Sequence, residues 1–414
     1  MKIFPDWFFN QVDWQEKTLK DLGYFYGGLS GKNKNDFGHG NADFITYMNV
    51  YKNNFADINQ LEKVEIKENE KQNLVQYGDI FFTQSSETVE EIAMSSVWLH
   101  DKKTYLNSFC FGFRPNDLKI LYPQFAGFLF RSESVRKKFI LEGQGISRFN
   151  IAQSRIENIF VKIPSLAEQK KIADYFTHLD KAINAQEIKL QSWREVKKAM
   201  LQKIFAQEYF FTQDNGDKFP AWQEKTLGEV AEITSSKRIF VSEYVSEGVP
   251  FIRGQEISDN SISSSEKFNC YISEERYNEI KNQYGVPQKN DILITAVGTI
   301  GNLYLVEEDK KFYFKDGNII WIKNFNQSIA PNYLKIFMQS FDFRNQILNF
   351  AMGGAQKALT IEKLFNAKIK IPCEEEQKKI AEYFSSLDRI IDAENKMLEN
   401  LRLMKKGLLQ KLFV

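Results

Sequence analysis

Two stretches of the chain, residues 165–205 and 373–413, carry apolar side chains at alternating steps of four and three residues. In the first stretch these positions are Ile172, Phe176, Leu179, Ile183, Leu190, Trp193, Met200 and Ile204. In the second they are Ile380, Phe384, Leu387, Ile391, Leu398, Leu401, Leu408 and Leu412. This spacing is typical of a coiled-coil seam. It predicts two long helices of about 38 residues, each ~57 Å long at 1.5 Å per residue.

The ends of both stretches carry helix start signals and complementary charge. Ser165 and Glu168 form a Ser-x-x-Glu capping box directly after a proline. The second stretch has Cys373 there, a poor cap, but three glutamates follow, where the helix dipole favours negative charge. Lysines gather at the far end of each stretch. Both segments are therefore predicted to begin as helices immediately after an Ile-Pro pair.

Two polar residues interrupt each seam at matching positions, Gln186 and Lys197 in the first and Glu394 and Lys405 in the second. A parallel pair of helices would place Lys197 against Lys405, and burying two unneutralised ammonium groups together is costly. An antiparallel pair would instead place Lys197 against Glu394 and Gln186 against Lys405. We therefore predict an antiparallel coiled coil in which Lys197 lies near Glu394. The alternative is that each helix packs only on its own domain, and two copies at matching phase favour mutual packing.

The segments before each long helix predict short strands. Residues 44–50 and 79–83 are aromatic and β-branched runs between turn residues. Residues 251–257 and 291–295 are the corresponding runs in the other half. Asp79 and Asp291, the first residues of the second runs, each precede an Ile and are interpreted as turn residues that lead into a strand. A helical stretch follows (125–141 and 333–350), then a glycine (Gly145 and Gly353) and a final apolar run.

The two halves repeat each other at their borders and differ in between. Residues 14–19 recur letter for letter as 222–227, and residues 163–205 recur as 371–413 with 22 of 43 positions identical. The intervening segments have equal length and share almost no sequence. A duplication of this kind indicates one scaffold that holds two different recognition surfaces.

Composition narrows the class of protein. The 414 residues suffice for two or more domains, and a formal charge of +1 excludes a generic polycation while leaving room for clustered basic residues. Three widely spaced cysteines suit a reducing compartment, so we expect a cytoplasmic protein. The first residues lack the apolar run of a signal peptide, and no stretch approaches the ~20 apolar residues that span a bilayer.

Catalytic and metal-binding motifs are not found. The three histidines stand in unrelated contexts, which disfavours a histidine-based triad or metal cluster. The run at 27–32 departs from the Walker pattern at positions 26 and 33. The Asn/Asp-Pro-Pro-Tyr/Phe tetrapeptide of adenine methyltransferases is absent. Any chemistry must therefore be performed by a partner.

Polar loops at corresponding places in the two variable segments are candidates for DNA contact. Arg and Lys suit guanine edges, and Asn and Gln suit adenine edges. The candidate DNA-binding residues are Ser30, Lys32, Asn33, Lys34, Tyr47, Asn49, Ser235, Lys237, Arg238, Arg253 and Gln255. The alternative for any one of these loops is an ordinary solvated loop. Arg136 and Arg344, at equivalent helical positions, are interpreted as surface charges rather than phosphate anchors.

The doubled order of these motifs resembles the specificity subunit of Type I restriction-modification systems. The resemblance rests on Trp-x4-Leu (Trp14, Leu19; Trp222, Leu227), a variable segment, and Ile-Pro-x3-Glu-Gln-x2-Ile-Ala before a long helix, all present twice. It implies an α+β protein with two mixed α/β target-recognition domains separated by an antiparallel coiled coil of the two repeated helices. The implied boundaries are target-recognition domain 1 at 1–162, a central helix at 163–206, a linker at 207–220, target-recognition domain 2 at 221–370 and a C-terminal helix at 371–414.

The resemblance also implies a non-catalytic protein that reads a bipartite double-stranded DNA target, one half-site per domain. Two methyltransferase subunits, which bring S-adenosylmethionine, would dock on the repeated regions, and restriction/translocase subunits, which use ATP and Mg, would join for cleavage. No cofactor, metal or membrane is expected on this chain, and near-neutral charge implies weak DNA binding by the chain alone. The residues expected in partner binding or the coiled coil are Glu168, Gln169, Ile172, Phe176, Leu179, Lys197, Glu376, Gln377, Ile380, Phe384, Leu387 and Glu394. One alternative is a coiled-coil interaction scaffold that binds proteins. The other is a specificity protein that serves a different system, or an inactive cassette kept for recombination.

Overall fold

The computed structural model describes residues 14–258, 268–352 and 357–413, which form two compact units. Unit 1 comprises residues 1–188 and 396–414, and unit 2 comprises residues 189–395. Each unit thus contains one variable segment and one half of each long helix. This division differs from the sequence-based one, which treats each long helix as a separate domain. Gly353 lies outside the described residues.

Unit 1 places short strands and helices ahead of the first long helix. The strands are β1 (Gln15–Thr18), β2 (Gly23–Gly27), β3 (Phe37–Ile45), β4 (Leu61–Val64), β5 (Ile80–Thr83), β6 (Ser85–Ser86), β7 (Ser95–Val97), β8 (Tyr105–Leu106), β9 (Cys110–Pro115), β10 (Phe149–Asn150) and β11 (Phe160–Ile163). The helices are α1 (Leu19–Leu22), α2 (Tyr47–Lys52), α3 (Pro123–Leu129), α4 (Glu133–Leu141), α5 (Gln153–Ile156) and the long α6 (Leu166–Phe205), of which the second half belongs to unit 2.

Unit 2 repeats the plan. Its strands are β12 (Gln223–Thr226), β13 (Glu232–Thr234), β14 (Tyr244–Val245), β15 (Val249–Ile252), β16 (Tyr271–Ile272), β17 (Ile292–Thr295), β18 (Leu303–Leu305), β19 (Tyr313–Phe314), β20 (Ile319–Lys323) and β21 (Lys368–Ile371). Its helices are α7 (Gly254–Ser258), α8 (Glu274–Tyr284), α9 (Pro331–Phe337), α10 (Phe341–Met352), α11 (Ile361–Phe365) and the long α12 (Glu374–Leu412), of which the end belongs to unit 1.

The central sheets of the two variable segments have the same strand order despite their different sequences. The central sheet has the order β2-β9-β5-β7 in unit 1 and β13-β20-β17-β18 in unit 2. A second sheet contains one parallel pair in each unit, β3 with β8 and β15 with β19. The first and last strands of each variable segment also pair, β1 with β11 and β12 with β21. This equivalence confirms the predicted α+β class with two related domains.

The strand predictions are confirmed for the second run of each half, and in the first run only the beginning is a strand. Residues 80–83 and 292–295 form β5 and β17, as expected. The runs at 44–50 and 251–257 change from strand to helix in the middle, since β3 ends at Ile45 and α2 begins at Tyr47. Thr46 causes this switch because its side chain accepts a hydrogen bond from Asn49 N at 3.1 Å, which caps the new helix. The predicted helical stretches 125–141 and 333–350 are each divided into two helices.

The repeated residues at the borders fasten each variable segment to its long helix. In unit 1, Trp14 Nε1 donates to Glu168 Oε1 at 3.0 Å. Gln169 Oε1 accepts from Tyr122 N at 2.8 Å, and its Nε2 donates to the carbonyl oxygens of Ile120 and Pro164 at 2.9 Å. Ser165 Oγ accepts from Glu168 N at 3.3 Å, so the helix cap is present while the Glu168 side chain is bonded to Trp14.

Unit 2 reproduces these contacts at positions 208 residues further along. Trp222 Nε1 donates to Glu376 Oε2 at 2.8 Å, and Gln377 bonds to Ala330 N, Ser328 O and Pro372 O at 2.8–2.9 Å. Gln169, Gln377 and Glu376 are buried in these contacts, with 1–2% of each residue exposed. Of the predicted roles in partner binding or the coiled coil, these three side chains therefore show contacts within their own unit, where they join the start of each long helix to the variable segment.

The long helices run antiparallel within each unit, as the seam predicts. In unit 1, Lys405 Nζ lies 2.5 Å from Asp180 Oδ1 and Arg402 Nη2 lies 2.6 Å from Glu187 Oε1. In unit 2, Lys189 Nζ lies 2.7 Å from Glu394 Oε1. Residues early in one helix thus face residues late in the other, which confirms the antiparallel coiled coil.

The first seam residues of each long helix pack both on their own variable segment and on the other long helix. Both packing arrangements considered from the sequence are therefore present. Ile172, Phe176 and Leu179 belong to one buried cluster with the core of their own variable segment and with Leu408 and Leu412 of α12. The set Ile380, Phe384 and Leu387 is buried in the same way in unit 2, with Ile204 from α6. The long helices therefore belong to the hydrophobic cores of the units as well as to a coiled coil.

The predicted pairing of Lys197 with Glu394 is wrong, because the helices are shifted from the expected register. Lys197 Nζ lies 2.5 Å from Asp388 Oδ1, and Glu394 pairs with Lys189. The Lys197–Asp388 contact recurs 208 positions away as Lys405–Asp180. Both lysines occupy partly buried seam positions and have a carboxylate partner. The ammonium groups are therefore neutralised as expected, but by an aspartate and not by the predicted residue.

The revised pairing gives a testable charge exchange. We expect Lys197→Glu and Asp388→Lys each to lower the free energy of unfolding of unit 2 by about 1 kcal/mol, and the double variant to recover most of that loss. Hydrogen exchange of peptides from α6 and α12, measured on the full chain, gives these values. Combining Lys197→Glu with Glu394→Lys, the pairing that the structure excludes, is the matched control and should show no recovery.

A buried aspartate stands at the start of the central strand of each unit. Asp79 accepts from Gln76 N and Asp291 accepts from Gln288 N, both at 2.8 Å, which confirms the predicted turns. Asp79 also forms a bidentate ion pair with Arg114 at 2.7–2.8 Å. This ion pair raises the pKa of Arg114. Asp291 has no such ion pair among the described contacts, and its burial raises its pKa.

An aromatic side chain donates to each of these aspartates, but from a different strand. Tyr26 Oη, on β2, donates to Asp79 at 2.6 Å, whereas Trp321 Nε1, on β20, donates to Asp291 at 2.9 Å. Tyr26 faces Gly112 of β9, where a Cβ atom would lie 2.2 Å from its ring. Trp321 faces Thr234 of β13 at the equivalent ladder position. The large aromatic residue thus lies on the first strand of the pair in unit 1 and on the second strand in unit 2, and the smaller residue lies opposite it in each case.

Candidate nucleic-acid interface

Four segments of unit 1 meet where β5 ends, and we call this surface recognition face 1. It comprises the start of α2 (Tyr47, Met48), Gln84 with β6, the turn 107–109 and the hairpin 144–150. Tyr47 Oη donates to Ser85 O at 2.7 Å, Gln84 N donates to Phe109 O at 2.9 Å, and Ile151 N donates to Gln84 O at 3.0 Å. These bonds hold the four segments together as one surface.

Unit 2 has the corresponding surface, recognition face 2, where β17 ends. It comprises the start of α7, residues 296–299, the turn 316–318 and residues 357–358. Ala296 N donates to Asn318 O at 2.8 Å, and Leu359 N donates to Ala296 O at 2.9 Å. Val297 is bridged to Ala358. Each contact has its counterpart in unit 1, so the two faces share a backbone plan.

The two faces present different side chains on that plan. Met48 and Phe109 are exposed on face 1, together with Gln84 and Arg148. Gln255, Val297 and Lys357 are exposed on face 2. Aromatic, amide and cationic groups of this kind suit stacking, base-edge hydrogen bonds and phosphate contacts. Equivalent platforms with different groups are what two readers of different sequences require.

The loop at 30–36 leaves the same end of the central sheet as recognition face 1. Lys32 is not available there, because its Nζ is buried against Glu65 O at 2.6 Å and pairs with Glu70, whose pKa it lowers to about 2. The predicted DNA contact by Lys32 is therefore wrong. Asn33 is exposed but caps the following turn by accepting from Asn35 N at 2.9 Å. Ser30 and Lys34 are exposed, and their DNA contact stays a prediction.

Of the two candidates on α2, one is accessible and one is not. Tyr47 is half-buried at the edge of recognition face 1. Asn49 is 1% exposed, and its amide bonds to Asp57 N and Asp57 O at 2.9 Å. DNA contact by Asn49 is therefore wrong, because this side chain shapes the loop after α2 and has no free polar atom at the surface.

Of the unit 2 candidates, Gln255 lies on recognition face 2, and the others lie beside it and form contacts within the unit. Arg238 Nε lies 2.8 Å from Asp316 Oδ2, and Arg253 Nη2 lies 2.9 Å from Glu256 Oε1. Ser235 Oγ donates to Ile319 O at 3.4 Å. Lys237 Nζ lies 4.9 Å from the centroid of the Tyr284 ring. Both arginines remain partly exposed, so a phosphate could compete with their acidic neighbours, and DNA contact by these residues and by Gln255 stays a prediction.

The interpretation of Arg136 as a surface charge is wrong. Its guanidinium is buried and donates to Ala93 O at 2.6 Å and Glu90 O at 2.8 Å. Burial lowers its pKa to about 10. Arg136 therefore joins α4 to the loop after β6. Arg344, in the corresponding helix of unit 2, is half-buried.

Several residues of the two faces were not among the sequence candidates. They are Met48, Gln84, Phe109, Ile146, Arg148, Val297 and Lys357. The matched glycines at 145 and 353 were a usable signal, because Gly145 opens the hairpin that carries Ile146 and Arg148. Gln84 and Phe109 join the face through backbone hydrogen bonds between distant segments, for which the sequence has no local sign.

No metal-binding group and no membrane span occur in the described parts of the chain. No cluster of three or more His, Cys, Asp or Glu side chains that could hold a metal is present among those residues. None of their helices is both long enough and apolar enough to cross a bilayer.

Comparisons with known proteins agree with this architecture. Residues 11–191 and 221–403 match the family described as the Type I restriction modification DNA specificity domain, and the chain belongs to this family. A putative Type I restriction enzyme MjaX specificity subunit from Methanocaldococcus jannaschii is 27% identical over 418 aligned residues, covering 96% of this chain and 92% of the relative. The MjaVIII specificity subunit from the same organism is 26% identical over 295 residues, 68% of each chain.

Solved structures show the same fold. The S subunit of a Type I restriction-modification system from M. genitalium has a TM-score of 0.55 at 16% identity, covering 98% of this chain and 97% of that one. A chain from a study of assembly and conformational transition of the type I R-M system has a TM-score of 0.61 at 16% identity, covering 97% of each chain. The protein is accordingly a non-catalytic specificity subunit, and DNA target recognition is its function.

Proposed function

We propose that each unit reads one half of a bipartite double-stranded DNA target through its recognition face. The observation that carries this proposal is that faces 1 and 2 share a backbone plan, with equivalent hydrogen bonds at Gln84 and Ala296, but present different side chains. A surface whose scaffold is kept while its exposed groups change is suited to reading two different sequences.

We further propose that two methyltransferase subunits bind the repeated long helices in the cytoplasm. Arg194, Lys198 and Gln202 form one exposed stripe along α6, and the identical Arg402, Lys406 and Gln410 are exposed on α12. Exposed residues four apart lie on one helix face. Arg402 and Gln410 also bond within unit 1, to Glu187 and Glu133, whereas Arg194, Lys198 and Lys406 form no ion pair among the described contacts. Two equal stripes favour two copies of one partner. S-adenosylmethionine, ATP and Mg would be bound by the methyltransferase and restriction/translocase subunits, since this chain lacks the methyltransferase tetrapeptide.

Methylome sequencing of the host with and without this gene tests the proposed function. We expect one bipartite methyl-adenine motif to disappear when the gene is deleted and to return when it is restored. A gene carrying Lys198→Glu with Lys406→Glu should fail to restore the motif, because each stripe then loses its net positive charge while the Arg402–Glu187 ion pair is kept. An unchanged set of methylated motifs after deletion would contradict the proposal.

A further inference from the structure

The hairpin at 144–150 ends in a tip whose side chains contact little of unit 1. Gln144 and Asn150 close the hairpin with two backbone hydrogen bonds of 2.9 and 2.8 Å. Phe149 and Asn150 pair with Ser86 and Ser85 in β6, which anchors the hairpin to recognition face 1. Ile146, at the tip, is 97% exposed. The base of the hairpin is therefore held in place while its tip points away from the unit.

The turn at the tip requires a glycine. Gly145 has a φ of +144°, and a Cβ atom there would lie 2.0 Å from Arg148 O. Such a close backbone approach closes the turn tightly and brings Ile146, Ser147 and Arg148 to its outer edge. Ile is branched at Cβ and has few side-chain rotamers, so an exposed Ile on a tight turn presents a stiff apolar wedge.

The charge beside this wedge favours a nucleic acid as its binding partner. Arg148 is exposed and has no acidic neighbour within ion-pair distance among the described residues. By contrast, Arg155, at the base of the hairpin, is paired with Glu142 at 3.3 Å. An available guanidinium next to a stiff apolar side chain, continuous with a face of exposed aromatic and amide groups, matches the equipment of proteins that insert a side chain between base pairs.

We propose that Ile146 inserts between stacked bases of the half-site read by unit 1, and that Arg148 holds an adjacent phosphate. This inference rests on the proposed function of recognition face 1 and adds a mode of reading. Unstacking costs least at flexible pyrimidine–purine steps, so the tip would add specificity through deformability of the DNA as well as through base edges.

The test uses the full chain with its methyltransferase subunit and a duplex containing the motif identified by methylome sequencing, with 2-aminopurine placed at successive positions of the unit 1 half-site. We expect 2-aminopurine fluorescence to rise on binding at one step, because an unstacked base is no longer quenched. Ile146→Ser should abolish that rise and weaken binding roughly tenfold, the affinity expected from burying one large aliphatic side chain. The dependence of its affinity on salt should be unchanged, since no charge is lost.

Arg148→Gln separates the two roles. It should keep the fluorescence rise and reduce the slope of log affinity against log salt by about 0.9, the value for one lost phosphate contact. Gly145→Ala should behave like Ile146→Ser, because the turn has no room for a Cβ atom. Leu141→Ser, another exposed aliphatic change in unit 1 but at the end of α4, is the matched control and should bind like the unchanged chain.

The inference is overturned if Ile146→Ser keeps both the affinity and the fluorescence rise while the methylated motif itself is lost on gene deletion. That result is consistent with the proposed function and contradicts only the insertion of Ile146 between bases. It is also overturned if Ile146→Ser weakens association with the methyltransferase subunit instead of with DNA, since the tip would then be a protein contact.

Discussion

Exchanging residues 20–162 for the corresponding segment of another system's specificity subunit is expected to change one half of the methylated motif and leave the other half unchanged. The exchanged segment contains recognition face 1, and its borders lie in α1 and β11. The retained residues Trp14, Glu168 and Gln169 make the fastening contacts to the long helix and to the segment. Because the repeated residues make these contacts in both units, a foreign segment of the same family meets matching partners.

Methylome sequencing of a strain that carries the hybrid gene measures the outcome. The reciprocal exchange of residues 228–370 should change the other half of the motif, and the two hybrids together act as controls for one another. Alteration of both halves by either single exchange would show that the two faces do not read independently.

Asp79→Asn is expected to destabilise unit 1 by about 3 kcal/mol, whereas Asp291→Asn should change the stability of unit 2 by less than about 1 kcal/mol. Asp79 forms an ion pair with Arg114, and its loss would leave that guanidinium without a charge partner. Asp291 accepts hydrogen bonds from Trp321 Nε1 and Gln288 N, which an amide oxygen can also accept. Hydrogen exchange of peptides from β5 and β17 in the full chain would report the two free energies separately.

The pH dependence follows from the same difference. Burial raises the pKa of Asp291 above 3.8, so the folded unit 2 holds this proton more tightly than the unfolded chain does. Its contribution to stability is thus present at low pH and is lost as pH rises through the raised pKa. Lys323 lowers and Glu232 raises that pKa, but burial dominates. Asp291→Asn should remove this dependence. Equal losses of stability for the Asp79 and Asp291 variants would contradict the distinction between the two sites.

The sequence predicted the repeated parts of the molecule better than the variable ones. Heptad spacing and charge at Lys197 and Lys405 were enough to infer antiparallel helices, because orientation depends on which charges meet. Register was missed, since Asp180 and Asp388 lie off the apolar seam and each reaches a lysine only through the geometry of the pair. The short helices α2 and α7 were read as strand because their β-branched and aromatic residues fit either structure.

The candidate interface was predicted by position but only partly by residue. The loops after β2 and β13 do lie at the end of the central sheet that carries the two faces. Tyr47 and Gln255 lie on the faces themselves, and Arg253 directly precedes the start of α7. Lys32 and Asn49 were chosen by residue type, yet both are buried by contacts with residues 8 to 38 positions away. Whether a lysine or asparagine is free depends on these contacts, and the sequence alone does not show them.

The exchange of large and small residues between Tyr26–Gly112 and Thr234–Trp321 restricts where hybrid genes can be joined. Recombination with a breakpoint between positions 26 and 112, or between their counterparts 234 and 321, would join the first strand of one variable segment to the later strand of the other. One product would bring a tyrosine and a tryptophan to the same site, where there is room for one ring. The other would bring a threonine and a glycine, leaving a buried aspartate without its aromatic donor and a void beside it. Viable recombinants should therefore inherit these strand pairs as linked haplotypes, so their breakpoints should cluster in the repeated borders.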